Sequence, residues 1–400
     1  MHSLLALLAT ALSVGVCSTP ARDDSLMNHP VLHHISLEAG YDYVSTSTGD
    51  VIREGVDAND RISTHAEMPV DLKYSFSFTD PRIRNYFPGG YQGIGVGVMN
   101  IGAAYSGGVR MASRYIGNPI RIYAFQGAPF WRINSRLNMN YEWNFGIAAG
   151  WKPYGESNKN FNLTVGSRVN AYLNLAVMLK WQIHPHIDIL GGIGVTHFSN
   201  GNTSWPNPGV NAMGFRVGMQ YSFKPAMKYV SPLPDTVVPR KLLYSISIWG
   251  AARKRVYLGG ENPVLLKGHF ACAGVSFSPL VRLNRWWRVG GALDLQWDES
   301  SDLKKNYVEG TDTEDIKFNR PAFIRQVTVG LSAHGELQMP IFAVNVGIGY
   351  NIVAPEENRG SYQNLTLKTY LTRNFYLNIG YQLRNFRQQA NLMLGVGVTI

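Results

Sequence analysis

The stretch Ile187–Phe223 alternates apolar and small or polar residues, and that alternation leaves few folds open. It reads IDILGGIGVTHFSN, then the turn-rich GNTSWPNPGV, then NAMGFRVGMQYSF. Successive side chains of a strand point to opposite faces. Ile187, Ile189, Gly191, Ile193 and Val195 therefore share one face, which His197 and Ser199 continue. On the second arm Asn211, Met213, Phe215, Val217, Met219, Tyr221 and Phe223 share a face, with Ala212, Gly214, Arg216, Gly218, Gln220 and Ser222 opposite. Each apolar face ends, next to the loop, in polar residues: a His, a Ser and an Asn. Such a cluster at the rim of an apolar wall is placed to act on a lipid.

The same pattern recurs along the chain. Strands are expected at Val31–Tyr43, Leu72–Phe78, Tyr91–Ala104, Ile120–Trp131, Leu137–Trp151 and Leu163–Trp181, and the hairpin completes a first half of about eight. Four prolines in Lys224–Lys241 cannot serve a central ladder, so this segment reads as a linker or long turn. Strands resume at Leu242–Trp249 and continue at Leu265–Leu283, Trp286–Trp297, Phe323–Leu337, Ile341–Ile352, Leu365–Tyr370, Phe375–Leu383 and Asn391–Ile400. Asp298–Arg320 reads as a long exposed loop. With 41 Gly, 21 Tyr, 9 Trp and only 16% charged residues, the composition suits a barrel with aromatic girdles. A mean hydropathy of -0.11 is no objection, because barrel strands alternate their hydrophobicity. Beyond the N-terminus nothing approaches the roughly 18–20 apolar residues of a spanning helix. Aromatic-rich apolar faces set against small polar ones favour a membrane barrel with a wet lumen over a soluble sandwich. The expected fold is an all-β, antiparallel transmembrane barrel of about 14–16 strands. One shared barrel is preferred to two, since it needs no second closure.

Residues 1–21 read as a signal peptide, although the positive n-region is missing. Its removal leaves Cys272 as the single cysteine, so no intramolecular disulfide is available, and no Cys/His spacing suggests structural zinc. The net charge of +10 comes from Lys and Arg scattered along the chain, and an export signal argues against a nucleic-acid partner. The domains expected are 22–223, a Pro-rich connection at 224–241, and a C-terminal half at 242–400. In that half Asn385-Phe386-Arg387 stands where His197-Phe198-Ser199 does. The second half thus reads either as a degenerate repeat or as hairpins of similar plan.

His197 and Ser199, two apart on a strand, lie on one side roughly 6.5–7 Å apart at the backbone. The imidazole can take the serine proton and make its oxygen a nucleophile toward an ester. Pairing of Ser199 with Asn211 would bring that Asn next to both. Asn200, Gly201, Asn207 and Gly209 offer amide or backbone donors for an oxyanion. Individually these residues are ordinary barrel-wall and turn formers; their grouping on one face is the signal.

HFSNG followed by PNPGVN resembles the motif of the outer-membrane lipid A 3-O-deacylases of the PagL type, grouped with acyloxyacyl-hydrolase-like proteins. The resemblance is strongest over Gly191–Phe223. It implies an outer-membrane barrel of a Gram-negative bacterium that hydrolyses the ester-linked 3-hydroxyacyl chain of lipid A, with no cofactor or metal. It further implies His197 as base, Ser199 as nucleophile, and Asn200 and Asn207 as the motif and loop asparagines. The family's acidic residue falls at Asn211, which can orient the imidazole but cannot stabilise an imidazolium as a carboxylate does. Asp188 faces away, and Glu142 could help only from an adjoining strand. The alternative is a noncatalytic outer-membrane barrel, porin-like or structural, that retains a degenerate motif. A third reading is a phospholipase of the outer leaflet.

Overall fold

A computed structural model describes residues 31–46, 67–101, 116–154, 164–225, 240–257, 264–308, 316–386 and 388–400. The signal segment and most of the Pro-rich connection lie outside the described residues. Alternation produces strands throughout. They are β1 (Val31–Thr46), β2 (Glu67–Phe78), β3 (Tyr91–Ile101), β4 (Gly117–Arg132), β5 (Leu137–Trp151), β6 (Val169–His184), β7 (Ile187–Ser199) and β8 (Val210–Ser222), with a short helix, α1 (Pro81–Tyr86), before β3. Each pairs antiparallel with the next, and β8 returns to β1 in a ladder from His34↔Ser222 to Thr46↔Val210. The first barrel is thereby closed at eight strands.

The remaining strands are β9 (Leu242–Arg253), the hairpin β10 (Val256–Tyr257) and β11 (Val264–Leu265), then β12 (Phe270–Arg282), β13 (Trp287–Asp298), β14 (Val327–Gln338), β15 (Phe342–Val353), β16 (Gly360–Tyr370), β17 (Phe375–Arg384) and β18 (Gln388–Thr399). β9 and β12 to β18 close a second eight-stranded barrel, with β18 pairing back to β9. The expectation of one shared barrel is therefore corrected: there are two. A shared barrel would need β8 to pair with β9, but β1 already occupies the free edge of β8. Closure of each half leaves no unpaired edge in lipid.

The Asp298–Arg320 segment is a second correction. Ser300, Ser301, Asp302 and Leu303 are buried. Leu303 packs with Leu266 and Phe270, and Tyr257, Tyr307, Ile316 and Phe318 pack against that cluster. Arg253 pairs with Asp298 beneath them. Residues 309–315 lie outside the described residues; of the rest, Leu303, Tyr307, Ile316 and Phe318 join Leu266, Phe270 and Tyr257 in a small core, while Lys305, Val308, Lys317 and Arg320 are exposed.

In the first barrel the outward faces are apolar and uncovered: Ile193 is 67% exposed and Met213 63%. The lumen holds ion pairs. Lys73 lies 2.9 Å from Glu38 and 2.6 Å from Glu142, Arg121 pairs with Asp71 at 2.9 Å and Arg216 with Asp42 at 3.0 Å. The cavity beside Lys73 holds about 10 Å³, at the limit for a single water. The lumen is thus a packed polar plug at the level of Lys73, while toward His34, Asp188 and Ser222 it opens into a cavity of about 520 Å³. Removing the shared cation should be costly. Lys73→Met is expected to destabilise the detergent-folded protein by about 3–5 kcal/mol, because two buried carboxylates lose their partner. Urea unfolding measures it, and adding Glu38→Gln and Glu142→Gln should recover part of the loss. An unchanged midpoint in Lys73→Met would show that the lumen hydrates the carboxylates freely.

Candidate active site

The β7–β8 hairpin sets the site at one end of the first barrel. Its register pairs His197 with Asn211 and Ser199 with Ala171 of β6, so Asn211 faces the histidine and not the serine. His197, Ser199 and Asn211 continue the outward faces of Val195 and Met213, which are 49% and 63% exposed. The polar cluster thus stands at the edge of the lipid-facing wall.

His197 Nδ1 lies 2.8 Å from Asn211 Oδ1. An amide oxygen can only accept, so in this orientation Nδ1 carries the proton. The lone pair is left on Nε2, the tautomer a general base requires. The Ser199 hydroxyl accepts a hydrogen bond from the Gly201 N–H at 3.3 Å. Among the described residues no hydrogen bond joins Ser199 to His197; bonds of this kind are often long before substrate tightens them. Neither carboxylate considered from the sequence reaches the ring. Asp188 is in the lumen against Lys180 and Gln220, and Glu142 is in the lumen against Lys73 and Tyr91.

The loop between the strands is held by its own asparagines. Asn207 Oδ1 accepts from the Asn200 N–H at 2.9 Å. Asn200 Nδ2 donates to the carbonyls of Ser204 at 2.8 Å and Pro206 at 3.3 Å. The Asn200 amide is thereby engaged within the loop. Gly201 and Asn202 both have φ near +63°, and the Thr203 N–H donates to the Asn200 carbonyl at 3.2 Å. Two successive left-handed residues inside such a bond match a type I′ turn, for which Gly and Asn are the suited residues. Gly209, at φ +81°, closes the loop against His197 and Ser199. A Cβ there would meet the Phe198 carbonyl at 2.5 Å, His197 Cε1 at 2.9 Å and Ser199 Cβ at 3.5 Å.

A second Ser/His/Asn set escaped the sequence reading. On β14, Ser332 Oγ lies 2.8 Å from His334 Nε2, and His334 Nδ1 lies 2.7 Å from Asn345 Oδ1. The signal was present as Ser-x-His in GLSAHGELQ, the reverse of His-x-Ser. Its face differs: Ser332 and His334 are buried in the lumen, beside a cavity of about 30 Å³. Ser332 Oγ is also 2.7 Å from Asp294 Oδ2, so its one proton is contested between the two acceptors. An acyl ester does not fit there. Asn385 and Phe386, compared earlier with the His197 region, are left-handed residues following β17, and Arg387 lies outside the described residues.

Two family models match the chain. "Lipid A 3-O-deacylase (PagL)" matches residues 70–220, and "Acyloxyacyl hydrolase, C-terminal domain" matches residues 244–400. No curated protein matches. Among solved structures, Neisserial surface protein A is similar at 10% identity and a TM-score of 0.31, covering 48% of this chain and 97% of its own. The translocator domain of the autotransporter NalP from Neisseria meningitidis is similar at 8% identity and a TM-score of 0.19, covering 100% of this chain and 95% of its own. The second barrel thus matches a domain model of its own, distinct from the model that matches the first. This outer-membrane β-barrel protein belongs to the PagL/acyloxyacyl hydrolase family, with a PagL lipid A 3-O-deacylase domain in its first barrel and an acyloxyacyl hydrolase C-terminal domain in its second.

Proposed function

We propose that this protein is a serine esterase that removes the ester-linked 3-hydroxyacyl chain from lipid A in the outer leaflet. Ser199 Oγ attacks the ester carbonyl while His197 Nε2 takes its proton, and Asn211 holds the ring through Nδ1. The Gly201 N–H, which donates to Ser199 Oγ, is a backbone donor within reach of the oxyanion that forms on the carbonyl oxygen once Oγ has added. Collapse breaks the ester bond, and the imidazolium returns its proton to the departing sugar oxygen. Water then attacks the acyl-enzyme, with His197 again as base, to release a 3-hydroxy fatty acid. Asn200, Asn207 and Gly209 position the loop around this chemistry. No step in this route uses a metal or cofactor.

The observation that carries the reading is the 2.8 Å contact between His197 Nδ1 and Asn211 Oδ1, with Ser199 two residues on along the same lipid-facing wall. Mass spectrometry of lipid A from cells expressing the chain provides the test. Loss of one 3-hydroxyacyl chain, with the free acid recovered, is expected. Unchanged lipid A, with the barrels assembled in the outer membrane, would leave the noncatalytic reading. Release of acyl chains from phospholipid alone would replace the substrate assignment.

A further inference from the structure

The catalytic turn does not stand alone, and its outer supports come from the second barrel. Asn202 Nδ2 donates to the Ala390 carbonyl of β18 at 3.1 Å. The Lys254 N–H, just past β9, donates to the Thr203 carbonyl at 2.7 Å. Leu392 lies against Gly201, where an added Cβ would come within 2.8 Å of its Cβ. The acceptor at Ala390 is itself fixed, because Arg253 Nη1 donates to that carbonyl at 2.9 Å and to Asn391 Oδ1 at 2.8 Å, and Arg253 is paired with buried Asp298.

We infer that the C-terminal barrel is a positioning unit for the catalytic turn of the first barrel, acting through Asn202 and Thr203 on the Gly201 N–H. This rests on the deacylase reading above and adds a role for the second half of the chain. Gly201 and Asn202 are the two left-handed residues of one turn, so the direction of the Gly201 N–H is set by how that turn is held. Three of its four residues are touched from the second barrel: Gly201 by Leu392, Asn202 by the Ala390 carbonyl and Thr203 by the Lys254 N–H. The fourth, Asn200, is tied inside the loop to Asn207, Ser204 and Pro206. The Gly201 N–H donates to Ser199 Oγ, so the way the turn is held fixes a donor beside the reacting oxygen before substrate arrives, and a donor held in place in advance is worth most. Asn202 touches no reacting atom; it is a positioning residue.

The test uses the purified full-length protein folded in detergent, with lipopolysaccharide as substrate and released 3-hydroxy fatty acid as readout. Asn202→Gly keeps a residue that tolerates positive φ and removes the side-chain link to Ala390. Asn202→Asp also tolerates the left-handed region but sets a carboxylate against the Ala390 carbonyl. Asn202→Gly should lower kcat by about tenfold, one hydrogen bond's worth, and Asn202→Asp by more. KM should stay within about twofold of wild type, as for an interaction that tightens only in the transition state. Lys254→Pro, which deletes the N–H donated to Thr203, should act in the same direction as an independent variant. Heat-dependent gel migration reports that each barrel has folded. Wild-type kcat in folded Asn202→Gly and Asn202→Asp, beside an inactive Ser199→Ala control, would overturn the positioning role and leave the deacylase intact. Full activity in Ser199→Ala would overturn the deacylase reading itself.

Discussion

Ser199→Ala is expected to lower the rate of 3-hydroxyacyl release by about 10⁴- to 10⁶-fold, the range seen when a nucleophile acting with a base is removed. Folding should hardly change, because among the described residues the hydroxyl makes one weak hydrogen bond, accepting from the Gly201 N–H at 3.3 Å. Two further results separate catalysis from damage. Adding His197→Gln to Ser199→Ala should cost almost nothing more, since a base has no work without its nucleophile. A serine-directed phosphonate should label the wild type and leave Ser199→Ala unlabelled. Ser332 does not compensate: it lies in the second lumen beside a space of about 30 Å³ and shares its proton with Asp294. Retained hydrolysis or retained labelling in Ser199→Ala would transfer the chemistry to another residue.

Much of this architecture was legible because a membrane barrel writes itself in period two. The faces of β7 and β8 follow from alternation alone, and His197 and Ser199 fall on the outward face as the pattern requires. Closure was not legible. Whether β8 pairs with β1 or with β9 is a choice between two free strand edges, and the alternating pattern of either half satisfies both. The register was also hidden: Asn211 opposes His197, two residues along the strand from the pairing considered with Ser199. Loop chemistry read less well for a different reason. Asn200 and Asn207 carry donors suited to an oxyanion, yet a loop must first satisfy its own backbone, and both side chains are engaged in doing so. The links from Asn202 and Thr203 to the second barrel join positions 188 residues apart in one case, with no local signature. Asp298–Arg320 misled through its charge, because burial was decided by a few interspersed apolar residues such as Leu303, Ile316 and Phe318.

Asn211→Glu is expected to raise the deacylation rate by about ten- to a hundredfold. The amide of Asn211 fixes the ring through Nδ1, which places the lone pair on Nε2, but it offers no charge when that ring becomes imidazolium. Replacing a triad carboxylate by its amide can cost about 10⁴ in rate, most of it through tautomer and charge stabilisation together. Here the tautomer is already set by the amide oxygen, so restoring a carboxylate should recover only the charge part. The exposed position of Asn211 on the outer wall lets a side chain one methylene longer be accommodated without repacking the lumen. Asn211→Ala isolates the other part: the ring loses its partner, both tautomers become available, and the rate should fall by about tenfold or more. The two variants are read as kcat on the same lipopolysaccharide. A gain in the first and a loss in the second would establish that this amide orients a working base. Equal rates in all three proteins would mean that the 2.8 Å contact does not govern proton transfer, and the assignment of His197 as base would fall with it.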